Sequence, residues 1–342
     1  MLRCCICFIA FSLLLFVSCE SGIKTESPQN TANEEFVEQL KIAIHDSSAL
    51  EIVDQNARFE ILAEGLYWSE GHLWVEEIKA VLFSDVPANK IYKWDEQDGI
   101  TVFLESAGHS GAENITSDKG PNGLMLDANG NLIICQHGDR RIARMDVALT
   151  EPSTKFTTLA GQYKAMQFNS PNDLAISKTG EIYFTDPPYG QPDNKTDEIG
   201  INGVFKYTAG QEVTLLIDSL SWPNGVALSL DERTLYVNQS DPAKPVLYSY
   251  TIAEDGKLVD GKILFDFSAL AANAKGLPDG LKVHKSGNIF ATGPGGVHII
   301  SPEGEHLATI QTGKATANCA FDADQKYLYT TTTDLLMRIK LK

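Results

Sequence analysis

The 342-residue chain is short of cysteine, of positive charge and of long apolar runs. Four of its six cysteines (Cys4, Cys5, Cys7, Cys19) lie in the first nineteen residues. The other two, Cys135 and Cys319, sit in apolar strand-like runs, which excludes a disulfide framework and predicts two buried thiols. Lys and Arg number 28 against 45 Asp and Glu, a net charge of −17 that would repel nucleic acid and anionic membrane surfaces. The apolar stretch from Cys4 to Val17 is too short to span a bilayer comfortably. There is no Gly-x-Ser-x-Gly elbow, so serine catalysis of that type has no support. Beyond residue 50 no long amphipathic helical pattern occurs, which argues against a parallel α/β sheet.

What is present begins with a processing signal. MLRCCICFIAFSLLLFVSC resembles a bacterial lipoprotein signal: Arg3, then the apolar stretch, with Leu15 and Ser18 ahead of Cys19 as the lipidated residue. An ordinary secretory signal is the alternative, and either predicts export. Removing residues 1–19 removes Arg3, one positive charge, and leaves −18. Residues 20–50 read as a tether and a short helix. ESGIKTESPQNTANEE is polar, and Phe36, Val37, Leu40 and Ile44 then recur at helical spacing.

The remainder repeats. A polar head residue, an alternating run, a turn with Gly or Asp and a hydrophobic strand recur in EGLYWSEGHLWV, NGLMLDANGNLII, NDLAISKTGEIYF, NGVALSLDERTLYV, DGLKVHKSGNIFA and NCAFDADQKYLYT. Their heads, Glu64, Asn122, Asn172, Asn224, Asp279 and Asn318, are separated by 58, 50, 52, 55 and 39 residues, and all but the last spacing suit a four-stranded blade. The expected fold is all-β, a six-bladed β-propeller over residues 51–342. RFEILA (58–63) would pair with LLMRIKL (335–341) to close the ring and remove open edges.

In such a ring the heads of the innermost strands face one central mouth. Two carboxylates and four amides would converge there, the oxygen-rich set that a hard divalent cation requires. Calcium fits first, with magnesium, manganese or zinc as alternatives, although zinc prefers His and Cys, which the set lacks. Asn-Gly and Asp-Gly are also ordinary turn formers, a reading that does not cover Glu64.

SPNDLAISKTGEIYFTDPPYG, WPNGVALSLDERTLYV, LPDGLKVHKSGNIFATGPGGV and ANCAFDADQKYLYTTTT together resemble the SMP-30/gluconolactonase/LRE family, and most closely its bacterial gluconolactonases. The resemblance runs from about Glu64 to the C-terminus. It implies a six-bladed propeller that binds a divalent metal on its axis and hydrolyses a sugar lactone. By the same resemblance Glu64 takes the place of the Glu in the family's EGP-W motif, with Leu66 for the usual Pro. Asn224 and Asp279 become metal ligands, with Asp279 also the acid/base residue, and Asn172 lies near both metal and substrate. Where animal members carry an Arg two residues before that Asn, this chain has Ser170, which leaves the substrate open.

The implied chemistry is polarisation of the lactone carbonyl by the cation, with Asp279 as general base toward water. Direct attack by the Asp279 carboxylate is the variant. Asn122, His137, Tyr189 and His298 are candidate substrate-binding residues. His137 lies in CQHGDRR, which resembles the EHG-RR run of bacterial gluconolactonases, and its Arg140 and Arg141 are read as ion pairs between blades. A small-molecule lactone is the expected partner, with neither nucleic acid nor protein implied and a membrane only through the lipid on Cys19. Two other classes stay open: an esterase or phosphotriesterase-like hydrolase on the same site, and a propeller that binds a ligand without catalysis.

Overall fold

The computed structural model describes residues 36–111, 119–196 and 198–342. The signal, its Cys19 and the start of the tether lie outside them. Six antiparallel sheets follow one another around a ring. Their innermost strands are Ser69–Val75, Pro121–Leu126, Leu174–Ile176, Pro223–Leu228, Leu281–Val283 and Asn318–Phe321. Each innermost strand packs against the next, and that of the sixth blade packs against that of the first, which closes the circle.

The physical reason is a period of two read by two neighbours. In the second strand of blade 2, Leu132–Gln136, every residue is buried. Leu132 and Ile134 pack toward blade 1, while Ile133 and Cys135 pack toward blade 3. Repeated around the ring, this gives six apolar clusters, one in each seam between blades. Outer strands such as Leu258–Asp266 are largely exposed. Cys135 and Cys319 are free thiols buried in seams. Burial raises the Cys135 thiol well above its usual range and pushes Cys319 up to about 12, so neither is a ready nucleophile.

The ring closes as the terminal runs suggest. Phe59–Glu64 is the outermost strand of blade 6 and pairs antiparallel with Leu335–Lys340. The expected N-terminal helix is confined to residues 36–39. Lys41–Ile44 is instead a strand, added to the outer edge of blade 5 with Ile42 opposite Ile310. Two isoleucines suit a strand, and the open edge of His306–Gln311 offers backbone partners that an isolated short helix lacks.

Candidate active site at the mouth of the ring

Three innermost strands, and the residues two positions ahead of two others, deliver one polar side chain each to a central cavity of about 650 Å³: Glu70, Asn122 and Asn224, then Asn172 and Asp279. Glycines explain how they come so close. Gly71, Gly123, Gly225 and Gly280, each following a head residue, are not in the left-handed conformation of a turn glycine. A Cβ on Gly71 would stand 2.2 Å from the Asn122 carbonyl oxygen, and one on Gly225 would stand 2.2 Å from that of Asp279. Only hydrogen fits between one head and the next. Backbone hydrogen bonds use the same approach: Gly123 N–H donates to Asn172 O at 2.8 Å and Gly225 N–H to Asp279 O at 3.1 Å. Side chains of second strands lock the heads further, with Ser84 Oγ donating to Asn122 O, Thr185 Oγ1 to Asn224 O and Asn238 Nδ2 to Asp279 O.

The structure corrects the first head. Glu64 is exposed at the end of the outermost strand of blade 6, away from the cavity, and the carboxylate in the ring is Glu70. EGLYW and EGHLW both place Trp four residues after Glu, so the motif alone selects neither. Spacing does: measured from Glu70 the first interval is 52 residues, in line with 50, 52 and 55, where Glu64 makes it 58. Asn318 is also displaced from the expected mouth. It is buried and does not line the cavity, its side chain bonded to Glu70 and its Oδ1 accepting from Cys319 N–H at 2.9 Å and from Lys282 Nζ at 3.5 Å.

Glu70 is buried, with Oε1 accepting from Trp68 Nε1 at 3.3 Å and Oε2 from Gly71 N–H at 3.2 Å. Burial lifts its carboxyl to about 7 against the pull of the Trp68 bond, and the charge of Asp173 adds to the lift. Asp279 is raised well above the usual carboxylate range, first by burial and then by the negative charges of Glu70 and Asp173. Asp173, buried beside Asn172, and Lys282, 4.0 Å from it, form a second layer that sequence reasoning missed. Three carboxylates thus stand against one ammonium, an imbalance that favours a cation.

The free donor atoms have one chemistry. Asp279 Oδ1, Asn122 Oδ1 and Asn224 Oδ1 are buried and accept no hydrogen bond, while Asn224 Nδ2 donates to Ser240 Oγ at 2.9 Å and to the Tyr189 hydroxyl at 3.4 Å. The amide of Asn224 is therefore turned with its oxygen unused. Among the described residues no group of three or more His, Cys, Asp and Glu side chains is arranged to hold a metal. The fit here is of another kind: two carboxylates plus amide oxygens, the donor set of a hard cation.

His137 and Tyr189 line the cavity, Tyr189 stacked on Trp222 with ring centroids 5.3 Å apart. His298 does not. It is buried in blade 5, with Nε2 bonded to Pro294 O at 3.0 Å and Nδ1 3.1 Å from His306 Nε2, and its ring packs on Phe267. A histidine in the third strand of a blade is too far out from the axis to face the mouth, and its role is to pack blade 5. Arg140 bonds Phe168 O ahead of blade 3, whereas Arg141 pairs with Asp139 at 3.0 Å inside its own blade. Ser170 is buried and structural, donating to Pro187 O and accepting from Gly190 N–H.

Residues 68–334 match the profile of the SMP-30/Gluconolactonase/LRE-like region. The chain belongs to this family. A gluconolactonase of Zymomonas mobilis is 36% identical over 302 residues, which span 85% of this chain and 83% of the relative. Among solved structures, a gluconolactonase of Xanthomonas campestris superposes with a TM-score of 0.76 at 28% identity, covering 88% of this chain and 95% of its own. A regucalcin of Agrobacterium tumefaciens, described as a calcium-binding protein, shares the family's fold at a TM-score of 0.64 and 17% identity, over 84% and 95% of the two chains.

Proposed function

We propose that the protein hydrolyses a sugar lactone to its hydroxy acid at the mouth of the ring, in a divalent-cation-dependent reaction. The observation that carries this reading is the pairing of two carboxylates on the axis, buried Glu70 and Asp279 with its buried Oδ1, with unsatisfied amide oxygens. The gluconolactonases of Zymomonas mobilis and Xanthomonas campestris supply the substrate class.

Glu70, Asp279, Asn172 and Asn224 are the residues that would hold the cation. When bound, it supplies Lewis-acid polarisation of the lactone carbonyl and offsets the paired carboxylates. Calcium suits a donor set made only of oxygen. Asp279 is the general base: Oδ1 has no other partner, and burial raises its basicity toward the working pH. It takes the proton of the attacking water as the carbonyl carbon becomes tetrahedral, and the ring oxygen leaves with a proton to complete the hydroxy acid. Asn122, His137 and the Tyr189 hydroxyl stand around the cavity where sugar hydroxyls need partners, and they hold the ring against Asp279.

Asp279→Asn keeps the side chain's shape and removes the base. Hydrolysis of glucono-δ-lactone, followed by acid release with calcium present, should fall by about 10²–10⁴-fold in kcat. Unchanged turnover in Asp279→Asn, or none in the unaltered protein, would defeat the reading. The N-terminal signal adds a place to the reaction: the propeller is exported and held at a membrane by lipid on Cys19.

A further inference from the structure

The floor and the rim of the cavity differ in chemistry. The buried part of the lining is largely carboxylate and amide, whereas Tyr67, Pro87 and Leu277, which line it too, are exposed or half-buried. Tyr67 is 75% exposed, the most exposed large hydrophobic side chain among the described residues. Its backbone, by contrast, is clamped. Tyr67 and Trp68 N–H donate to the two carboxylate oxygens of buried Asp85, both at 3.1 Å, Leu66 N–H donates to Asp334 O, and Val86 N–H donates to Trp68 O. The loop is thus fixed to blade 6 on one side and blade 1 on the other, and it presents an aromatic face at the entrance with no partner from the protein's core.

Size points the same way. A monosaccharide lactone occupies on the order of 150 Å³ at the packing density of organic solids, a minor part of the 650 Å³ present. Small-molecule sites commonly enclose most of their ligand. Resting on the lactonase reading above, we infer that the preferred substrate is a lactone carrying a second, glycosyl unit, with the lactone end at Glu70 and Asp279 and the second ring stacked on Tyr67. A sugar suits this position better than an alkyl chain. One face of a pyranose is lined with C–H groups that cover an aromatic ring, while its hydroxyls stay in water at the open rim. An alkyl chain there would keep one side wet.

The test compares glucono-δ-lactone, cellobiono-δ-lactone and a δ-lactone with a long alkyl chain on the full protein, on Tyr67→Ala and on Tyr67→Trp. The inference expects a KM for cellobiono-δ-lactone about tenfold below that for glucono-δ-lactone. It expects Tyr67→Ala to raise that KM about tenfold with kcat held, and Tyr67→Trp to restore it. Equal kcat/KM for the two sugar lactones, or a preference indifferent to Tyr67→Ala, overturns it. So does a Tyr67-dependent preference for the alkyl lactone alone. Hydrolysis of glucono-δ-lactone in the same assay shows whether the underlying lactonase reading stands when the inference falls.

Discussion

At the scale of single residues, position in the blade separates one glutamate from another. Glu64 and Glu70 have the same local motif, yet one ends an exposed outer strand and the other opens an inner strand. If Glu70 and Asp279 hold the cation, calcium at about 100 times its dissociation constant should raise Tm by about 5 °C or more. Glu70→Gln and Asp279→Asn should lose that shift, and Glu64→Gln should keep it, as read by thermal unfolding with and without calcium. Histidine provides a second residue-scale case. His72 and His298 are buried and held neutral, each with its pKa lowered from 6.5 to about 3 chiefly by burial. The unfolded chain therefore takes up these protons first. Their contribution to stability is complete above pH 6.5 and is lost as pH falls toward 3, at about 1.4 kcal/mol per pH unit for each ring. The raised carboxyls of Glu70, Asp186 and Asp279 take up protons in the folded state over the same range and act in the opposite sense, so the histidine share is read as a difference: between pH 6 and pH 4 urea unfolding of His298→Gln should differ in slope from the parent protein by about one ring's share, whatever its effect on absolute stability.

At the scale of elements, ring closure depends on a strand borrowed from the other end of the chain. Phe59–Glu64 covers the edge of Leu335–Lys340, places Ala63 in the seam between blades 6 and 1, and brings Glu60 to Arg338 at 2.6 Å. Deleting residues 1–64 would leave blade 6 with three strands and an open edge, and circular dichroism should show little folded protein. Deleting residues 1–40 spares both added strands, and Tm should stay within the about 2–4 °C that 1 kcal/mol is worth. The blades were legible in the sequence because each is a local unit of alternation and turn. The conversion of 41–44 from helix to strand was not, because the partner edge lies more than 260 residues away. His298 misleads for a related reason: GPGG precedes it as a pocket loop would, but only the strand order places it away from the axis.

At the scale of the whole molecule, six seams share the core, and polar side chains from five blades gather at the central cavity. Most of the net charge of −17 coats the surface, while Glu70 and Asp173 are buried at the centre and Asp279 turns a buried Oδ1 there. The tether would let such a ring work close to a membrane that its own charge repels. If Cys19 carries the lipid, the full chain should sediment with membranes, and Cys19→Ser should release it to the soluble fraction with its lactone hydrolysis intact.

The sequence by itself determined the six-fold repeat, the closure by terminal strands, the two buried thiols and most of the polar heads, because each is written in short-range periodicity. Only the tertiary structure decided that Glu70, which the spacing favours but the motif does not single out, faces the axis, that Asn318 stays out of the cavity lining, and that Asp173 and Lys282 pair beside it. Those choices depend on which strand of a blade a residue occupies and on how closely one blade approaches the next. A single chain position does not carry that information until the ring has closed.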